Sequence, residues 1–384
     1  MDKSNTNRKI LIIAPYFYPH KGGLEQFCFE IATRLAKKNL DVTVLTSNIP
    51  QSKDKEKIFG INIIRLDHYN LINGRWPMPK VSVKKYLDEI KPDIIITNTR
   101  FFPICYSAYK YARSNNIKLI HIEHGTSVSK LGRWLSNSLA DLYDKVYGNK
   151  IIKNANLIIG ISDAASHFSK TLGAKNPITI HNSVDTNFFK PSDLPSEARR
   201  AKDGSPHITH YPLQVTYIGR LIEAKGIQDL ISAFKNLENK NLILNIVGIG
   251  FFESELKKLA KNDRRIKFLG EKNQAEIKQI LSETDVLVNP SYGEGLPTSV
   301  LEAGAMGLSI IATDVGGTRE IIDNDKNGFL IQPKKPDIIK SRLEKLIKSD
   351  ILRRSFSKKI REKIENDFGW NKNIDKLYSE IRDL

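Results

Sequence analysis

The chain has 384 residues, of which 40% are hydrophobic and 27% charged, and carries a formal net charge of +17. That length exceeds what one hydrophobic core usually supports and points to two domains, while no apolar run reaches the roughly 18 residues that cross a bilayer. The excess cations are spread along the chain, without zinc-finger spacing, an aromatic–glycine RNA-binding signature or a helix-turn-helix pattern, so no nucleic-acid partner is expected.

The polar residues 1–9 lead straight into a strand-like run, which argues against a secretory signal. Cys28 and Cys105 form no disulfide framework and are expected to stay reduced in a cytoplasmic protein. Apolar runs at 10–14, 41–46, 61–66, 93–97, 118–123, 157–161 and 177–181 predict strands. Between the first two, 25–38 predicts a helix with Phe29, Ile31, Ala32, Leu35 and Ala36 on one face. Runs rich in Ile, Val and Leu alternating with helices indicate a parallel sheet covered on both faces. The segment 187–212 has no sustained period, carries Pro191, Pro195, Pro206 and Pro212, and reads as a linker.

The pattern then restarts. Strands are predicted at 215–218, 242–247, 266–269, 285–289, 309–312 and 329–332, with helices at 227–236 and 253–261 between them. The expected fold class is α/β, with two facing, Rossmann-like doubly wound domains over 1–186 and 213–370. Ligands in such sheets bind beyond the carboxyl ends of the strands. A final helix over 371–384 is a candidate to dock back on the first domain.

The most informative stretch is 288–307. A strand ends at Asn289 and Pro290, a turn with Gly293 and Gly295 follows, and Pro297 stands where a first helical position is expected. Amides around Thr298 and Ser299 would then make an anion site suited to a diphosphate. Glu294 sits in the turn and Glu302 about one helical turn inside, and carboxylates are acceptors matched to vicinal sugar hydroxyls. Either acid alone reads more simply as a solvated surface residue. The whole string does not.

This stretch resembles the E-x7-E motif of family 4 of the retaining glycosyltransferases, which share the GT-B fold of two facing Rossmann-like domains. The likeness extends over nearly the whole chain. Gly22 and Gly23 match the family's paired glycines, and Asn182 to Asp185 resembles its Asn-Gly-Val-Asp string, with Ser183 in place of glycine. Gly219 and Arg220, followed by Lys225 and Gly226, match its phosphate-binding pair; Gly248, Gly250 and Leu269 fall in its nucleotide-side loops. The strings 315–322 and 327–330 follow in the expected order.

The resemblance implies roles. Arg220 and Lys225 would neutralise the donor diphosphate as it leaves, Glu302 would hold the ribose, and Glu294 would contact the transferred sugar. Gly22, Gly23, Gly219, Gly248, Gly250, Leu269, Gly295, Leu296, Pro297, Thr298 and Ser299 would complete the donor site. His124, at a strand's carboxyl end and followed by Gly125, resembles the family's histidine beside the reaction centre, whereas His121 points into the sheet's packing. A retaining front-face displacement follows, in which the leaving phosphate accepts the acceptor's proton.

No metal or other cofactor is expected. Asp323 and Asp325 read as a turn, and His207 and His210 lack the further ligands that zinc wants. The donor would be a UDP- or GDP-linked hexose and the acceptor a glycan or a lipid-linked sugar, as in envelope polysaccharide or glycolipid synthesis. Over 127–153, Leu131, Trp134, Leu135, Leu139, Leu142 and Val146 alternate with Lys130, Arg133, Lys145, Lys150 and Lys153. This basic amphipathic pattern suits either packing on the first sheet or an anionic membrane surface, at the inner face of the cell membrane. The rival readings are a nucleotide-sugar epimerase of the same architecture, which would lack the two-glutamate string, and a non-catalytic nucleotide-sugar-binding protein.

Overall fold

A computed structural model describes residues 8–71, 76–127, 142–191 and 212–384. They divide into two compact units, Met1–Asn182 with Asn371–Leu384, and Ser183–Trp370. The first break thus falls at 182/183, where the sequence suggests 186/187. Of the expected linker, 192–211 lies outside the described residues.

The first unit holds one eight-stranded sheet. Its order across the sheet is Ile178–Thr179, Leu157–Gly160, Lys118–Glu123, Ile94–Asn98, Lys9–Ile13, Asp41–Ser47, Ile61–Leu66 and Lys55–Ile58. All pairs are parallel except the last. Central strands such as Ile94–Asn98 are buried along their whole length, because helices cover both faces of a parallel sheet. Leu11, Ile13, Leu45, Ile95 and Leu119 pack with Ile104, Ala108 and Tyr109 of the helix Pro103–Ser114. The strand expected at 177–181 narrows to Ile178–Thr179, although Ile180 and Asn182 still donate to Gly160 and Ile161.

Two features depart from the sequence reading. Lys55–Ile58 is an antiparallel edge strand, and His68–Leu71 pairs with Trp76–Pro79 as a separate hairpin. The first is polar and half-exposed, and the second contains Pro77 and Pro79, so neither shows the apolar run of a central strand.

The second unit holds a fully parallel six-stranded sheet. Its order is Ile266–Gly270, Leu242–Val247, Leu213–Ile218, Val286–Asn289, Ser309–Thr313 and Phe329–Ile331. Leu230 and Phe234 of the helix Ile227–Lys235 join Leu244, Ile246, Phe329 and Phe356 in its core. In both sheets the winding reverses beside the first strand of the unit. Those switch points lie between Lys9–Ile13 and Ile94–Asn98, and between Leu213–Ile218 and Val286–Asn289.

The helix Trp370–Asp383 closes the first unit instead of the second. Arg8 donates to the Ile381 carbonyl at 2.8 Å, Lys376 to that of Thr179 at 2.7 Å, and Lys38 pairs with Asp375 at 2.6 Å. Ile374, Leu377 and Ile381 are buried there. Deleting 371–384 removes three buried aliphatic side chains, a gross loss on the order of 5 kcal/mol. Hydrogen exchange should then show protection falling across the first unit while the core amides of 213–370 stay protected; the opposite pattern would contradict this docking.

Candidate active site

At the second unit's switch point, one strand leads into the turn carrying Lys225 and its neighbour into the turn carrying Glu294. Leu213–Ile218 runs through Gly219 and Arg220 to a single 3-10 turn, Glu223–Lys225. Gly226 ends that turn at φ +66, and a Cβ there would overlap the Pro290 carbonyl oxygen. Only glycine allows this backbone-on-backbone approach. Tyr292 fastens it: its amide donates to the Ala224 carbonyl at 2.9 Å. Its hydroxyl accepts from Gln228 at 2.6 Å and donates to Asp229 at 2.9 Å, with Lys334 Nζ 5.2 Å from its ring centre. On the other side, Gly317 donates its amide to the Gly295 carbonyl at 2.9 Å.

The clamp brings Lys225 Nζ to 2.6 Å from Glu294 Oε1, with both side chains largely withdrawn from water. Tyr217 lies beneath. Burial, then the charge of Glu294, pushes its phenol well above the ordinary range, and the charge of Arg220 opposes them. Arg220 itself is exposed and makes no ion pair among the described residues. Lys225 and Glu294 are thus brought together, and Gly219 and Arg220 lie about the same Tyr217 phenol.

The remaining nucleotide-side loops interlock with these turns. Gly219 donates to Val247 at 3.0 Å, Leu221 to Ile249 at 2.9 Å and Gly248 to Gly270 at 2.8 Å. Gly248 sits at φ +126 with its α-carbon against the Gly219 carbonyl, a contact that any side chain would obstruct. Gly250 closes on Leu221, and Leu269 lies one residue before Gly270 on the outermost strand.

Pro297 occupies the cap of the helix Thr298–Ala305, one position earlier than expected, and its carbonyl accepts from Val300 and Leu301. Leu296 is buried beside it. Glu302 is not the surface helix residue of the simpler reading, being only 6% exposed. No hydrogen bond or ion pair reaches its carboxyl among the described residues, and burial alone pushes it up to about 8. A buried acid without a partner is stored at a cost and suits a ligand that brings donors.

His124, Gly22 and Gly23 belong to the first unit: the glycines follow Lys9–Ile13 at that sheet's own switch point, and His124 follows Lys118–Glu123, one strand further along. Gly22 caps the helix Gly23–Ala36, and His20, Lys21, Gly22 and Gly23 are exposed. His124 is half-buried. Its Nε2 lies 3.1 Å from Asn98 Oδ1, and Phe27 meets the ring edge-on at 4.8 Å. Burial pulls the imidazole down to about 4, against the opposing charge of Glu123. His121 is fully buried and hydrogen-bonded to Thr97 at 2.9 Å.

Sequence reasoning missed the polar groups that hold this corner. Arg100 pairs with Glu123 at 2.5 Å and Asp144 at 2.7 Å, with all three side chains buried. Burial raises the Glu123 carboxyl, but the Arg100 and His121 charges overcome it and hold it well below the carboxylate range. Glu123 also accepts the Gly125 amide at 2.7 Å, fixing the loop after His124. Polar residues that break apolar runs at strand ends were the available signal.

Other expectations fall elsewhere. Asp323 and Asp325 form the turn the sequence suggests, where Asp325 donates to the Gly328 carbonyl at 2.9 Å. His207 and His210 lie outside the described residues, as does 128–141 of the basic amphipathic stretch. Its remaining Leu142 and Val146 are exposed, around the buried Asp144. No helix among the described residues is long and apolar enough to cross a membrane.

A model of "Glycosyltransferase Family 4" matches residues 21–188, and one of "Glycosyl transferases group 1" matches 199–363. An uncharacterised glycosyltransferase of Methanocaldococcus jannaschii is 30% identical, with 97% of each chain covered. The N,N'-diacetylbacillosaminyl-diphospho-undecaprenol alpha-1,3-N-acetylgalactosaminyltransferase of Campylobacter jejuni is 26% identical, over 89% of this chain and 91% of its own. Among solved structures, HepE of Anabaena in complex with UDP superposes with a TM-score of 0.77 at 18% identity, covering 98% of this chain and 100% of its own.

The buried carboxyl makes a stability prediction. Glu302 moves from an ordinary 4.5 to about 8 on folding, so between those values the folded state holds a proton that the unfolded state has lost. Its contribution is fully present below 4.5 and falls as pH rises toward 8, by up to about 1.4 kcal/mol per pH unit. Urea melts from pH 5 to 8 should show Glu302→Gln gaining on the parent as pH rises. A difference independent of pH would refute the shifted carboxyl.

Proposed function

The chain belongs to the family 4 glycosyltransferases, GT-B enzymes, and on that footing we propose that it moves a hexose-type sugar from a UDP- or GDP-linked donor to a glycan or lipid-linked acceptor, with retention of configuration and without a metal. The observation that carries this reading is the Lys225–Glu294 pair at the second sheet's switch point, beside an exposed Arg220. Two cations and one carboxylate on these turns leave a net positive charge, which suits a diphosphate. The UDP of Anabaena HepE and the diphospho-undecaprenol acceptor named for the Campylobacter enzyme favour the same substrate classes.

The chemistry follows from charge. As the bond between the anomeric carbon and the phosphate oxygen breaks, the leaving diphosphate gains negative charge, which Arg220 and Lys225 stabilise. The acceptor hydroxyl forms the new bond on the same face and passes its proton to the departing phosphate oxygen. As Lys225 turns from Glu294 to the diphosphate, Glu294 accepts hydrogen bonds from hydroxyls of the sugar. Glu302 accepts those of the ribose. When the acceptor is lipid-linked, the reaction takes place at the cytoplasmic face of a membrane.

Nucleoside diphosphates test the class directly, since a ligand bound only by the folded state raises its melting point. One of UDP, GDP, ADP or dTDP at a hundredfold excess over Kd should add about 2.7 kcal/mol of stability; no shift with any of them would sink the donor assignment.

The two glutamates should separate. Glu294→Gln should abolish transfer yet keep or tighten diphosphate binding, because Lys225 no longer has to leave a partner. Glu302→Ala should weaken diphosphate binding itself, and the parent's affinity should rise as pH approaches 8, where Glu302 sheds its proton unaided. Titration calorimetry at several pH values reads both. Equal losses of binding in the two variants would overturn the division of labour.

A further inference from the structure

In the first unit, three groups from three strand ends form one hydrogen-bonded chain. Asn98 closes Ile94–Asn98 and is 1% exposed. Its Nδ2 lies 3.2 Å from the Ile13 carbonyl oxygen at the end of Lys9–Ile13. Its Oδ1 lies 3.1 Å from His124 Nε2, just beyond Lys118–Glu123. A main-chain carbonyl can only accept, so the amide must turn its NH2 toward Ile13. The other end of the amide is then an oxygen, which can only accept, so the imidazole must offer it a proton. One backbone carbonyl thus dictates which ring nitrogen is protonated.

We infer that Asn98 is a positioning residue that holds His124 as the neutral Nε2–H tautomer and turns Nδ1, as a hydrogen-bond acceptor, to a hydroxyl of the sugar substrate. No hydrogen bond reaches Nδ1 among the described residues, and His124 keeps part of its surface exposed. Phe27 closes the ring from the side with an apolar edge. The charges nearby are Glu123, His121 and Arg100, and Glu123 is already committed to Arg100 and to the Gly125 amide. Asn98 is therefore what orients the ring. The hydroxyl partner rests on the transferase reading, whereas the tautomer does not.

The test is a 15N spectrum of histidine-labelled protein, with His124 assigned from a His124→Ala sample. At pH 7 the ring should show a protonated Nε2 and a bare Nδ1; a protonated Nδ1, or an imidazolium, overturns the proposal. Asn98→Asp keeps the shape but places a carboxylate against Nε2–H, which favours the imidazolium and removes the acceptor. Transfer at pH 7 should fall at least tenfold and recover at alkaline pH, once the ring deprotonates. A rate loss uniform across pH, with the parent tautomer kept, means a structural role only and refutes the positioning role. Should Asn98→Asp not fold, Asn98→Ser is expected to show both tautomers, and the parent spectrum decides alone. Full transfer by His124→Ala would remove the ring from catalysis while leaving its tautomer as stated.

Discussion

A missing side chain at Gly226 sets the spacing on which the second unit's site depends. Because nothing stands between its α-carbon and the Pro290 carbonyl, two turns from neighbouring strands meet backbone to backbone. Tyr292 then locks them through its amide and its hydroxyl. Lys225 and Glu294 are left facing each other at 2.6 Å, neither fully in water nor fully out of it. A pair in that position gains little stability, since desolvation offsets most of the Coulomb attraction. In the proposed reaction its value lies in being exchangeable, with a dianion taking the ammonium and hydroxyls meeting the carboxylate.

Both sheets use their switch points, but with opposite electrostatics. In the first unit Arg100 is enclosed by Glu123 and Asp144, so its charge is spent internally and the local result is a rigid frame around a neutral imidazole. In the second unit Arg220 stays exposed and Glu302 stays without a partner among the described residues. One corner is built to hold shape. The other keeps charge and acceptor capacity in reserve for something from outside.

Sheets and turns were readable from the sequence because their causes are local. Ile- and Leu-rich runs buried on both faces mark the central strands, and Pro290, Gly295 and Pro297 mark a strand-to-helix turn. Lys55–Ile58 was not readable, because an edge strand tolerates charge and lacks the apolar signal. Arg100, Asn98 and Glu123 escape for a different reason: the contacts Arg100–Glu123, Arg100–Asp144 and Asn98–Ile13 span 23 to 85 residues of sequence, at distances only the folded sheet creates. Glu302 was recognised, yet its burial was not, because that depends on what covers the helix and not on the motif.

The helix Trp370–Asp383 sets the order in which the two units are completed. Ser183–Trp370 is contiguous, so every residue of the second unit can be present before that helix is complete. The first unit cannot finish then, although its sheet is synthesised first, because the helix that buries Ile374, Leu377 and Ile381 follows the whole second unit in the chain. Until that moment its apolar seat is bare. Completion of the first-made unit therefore waits on synthesis of the second.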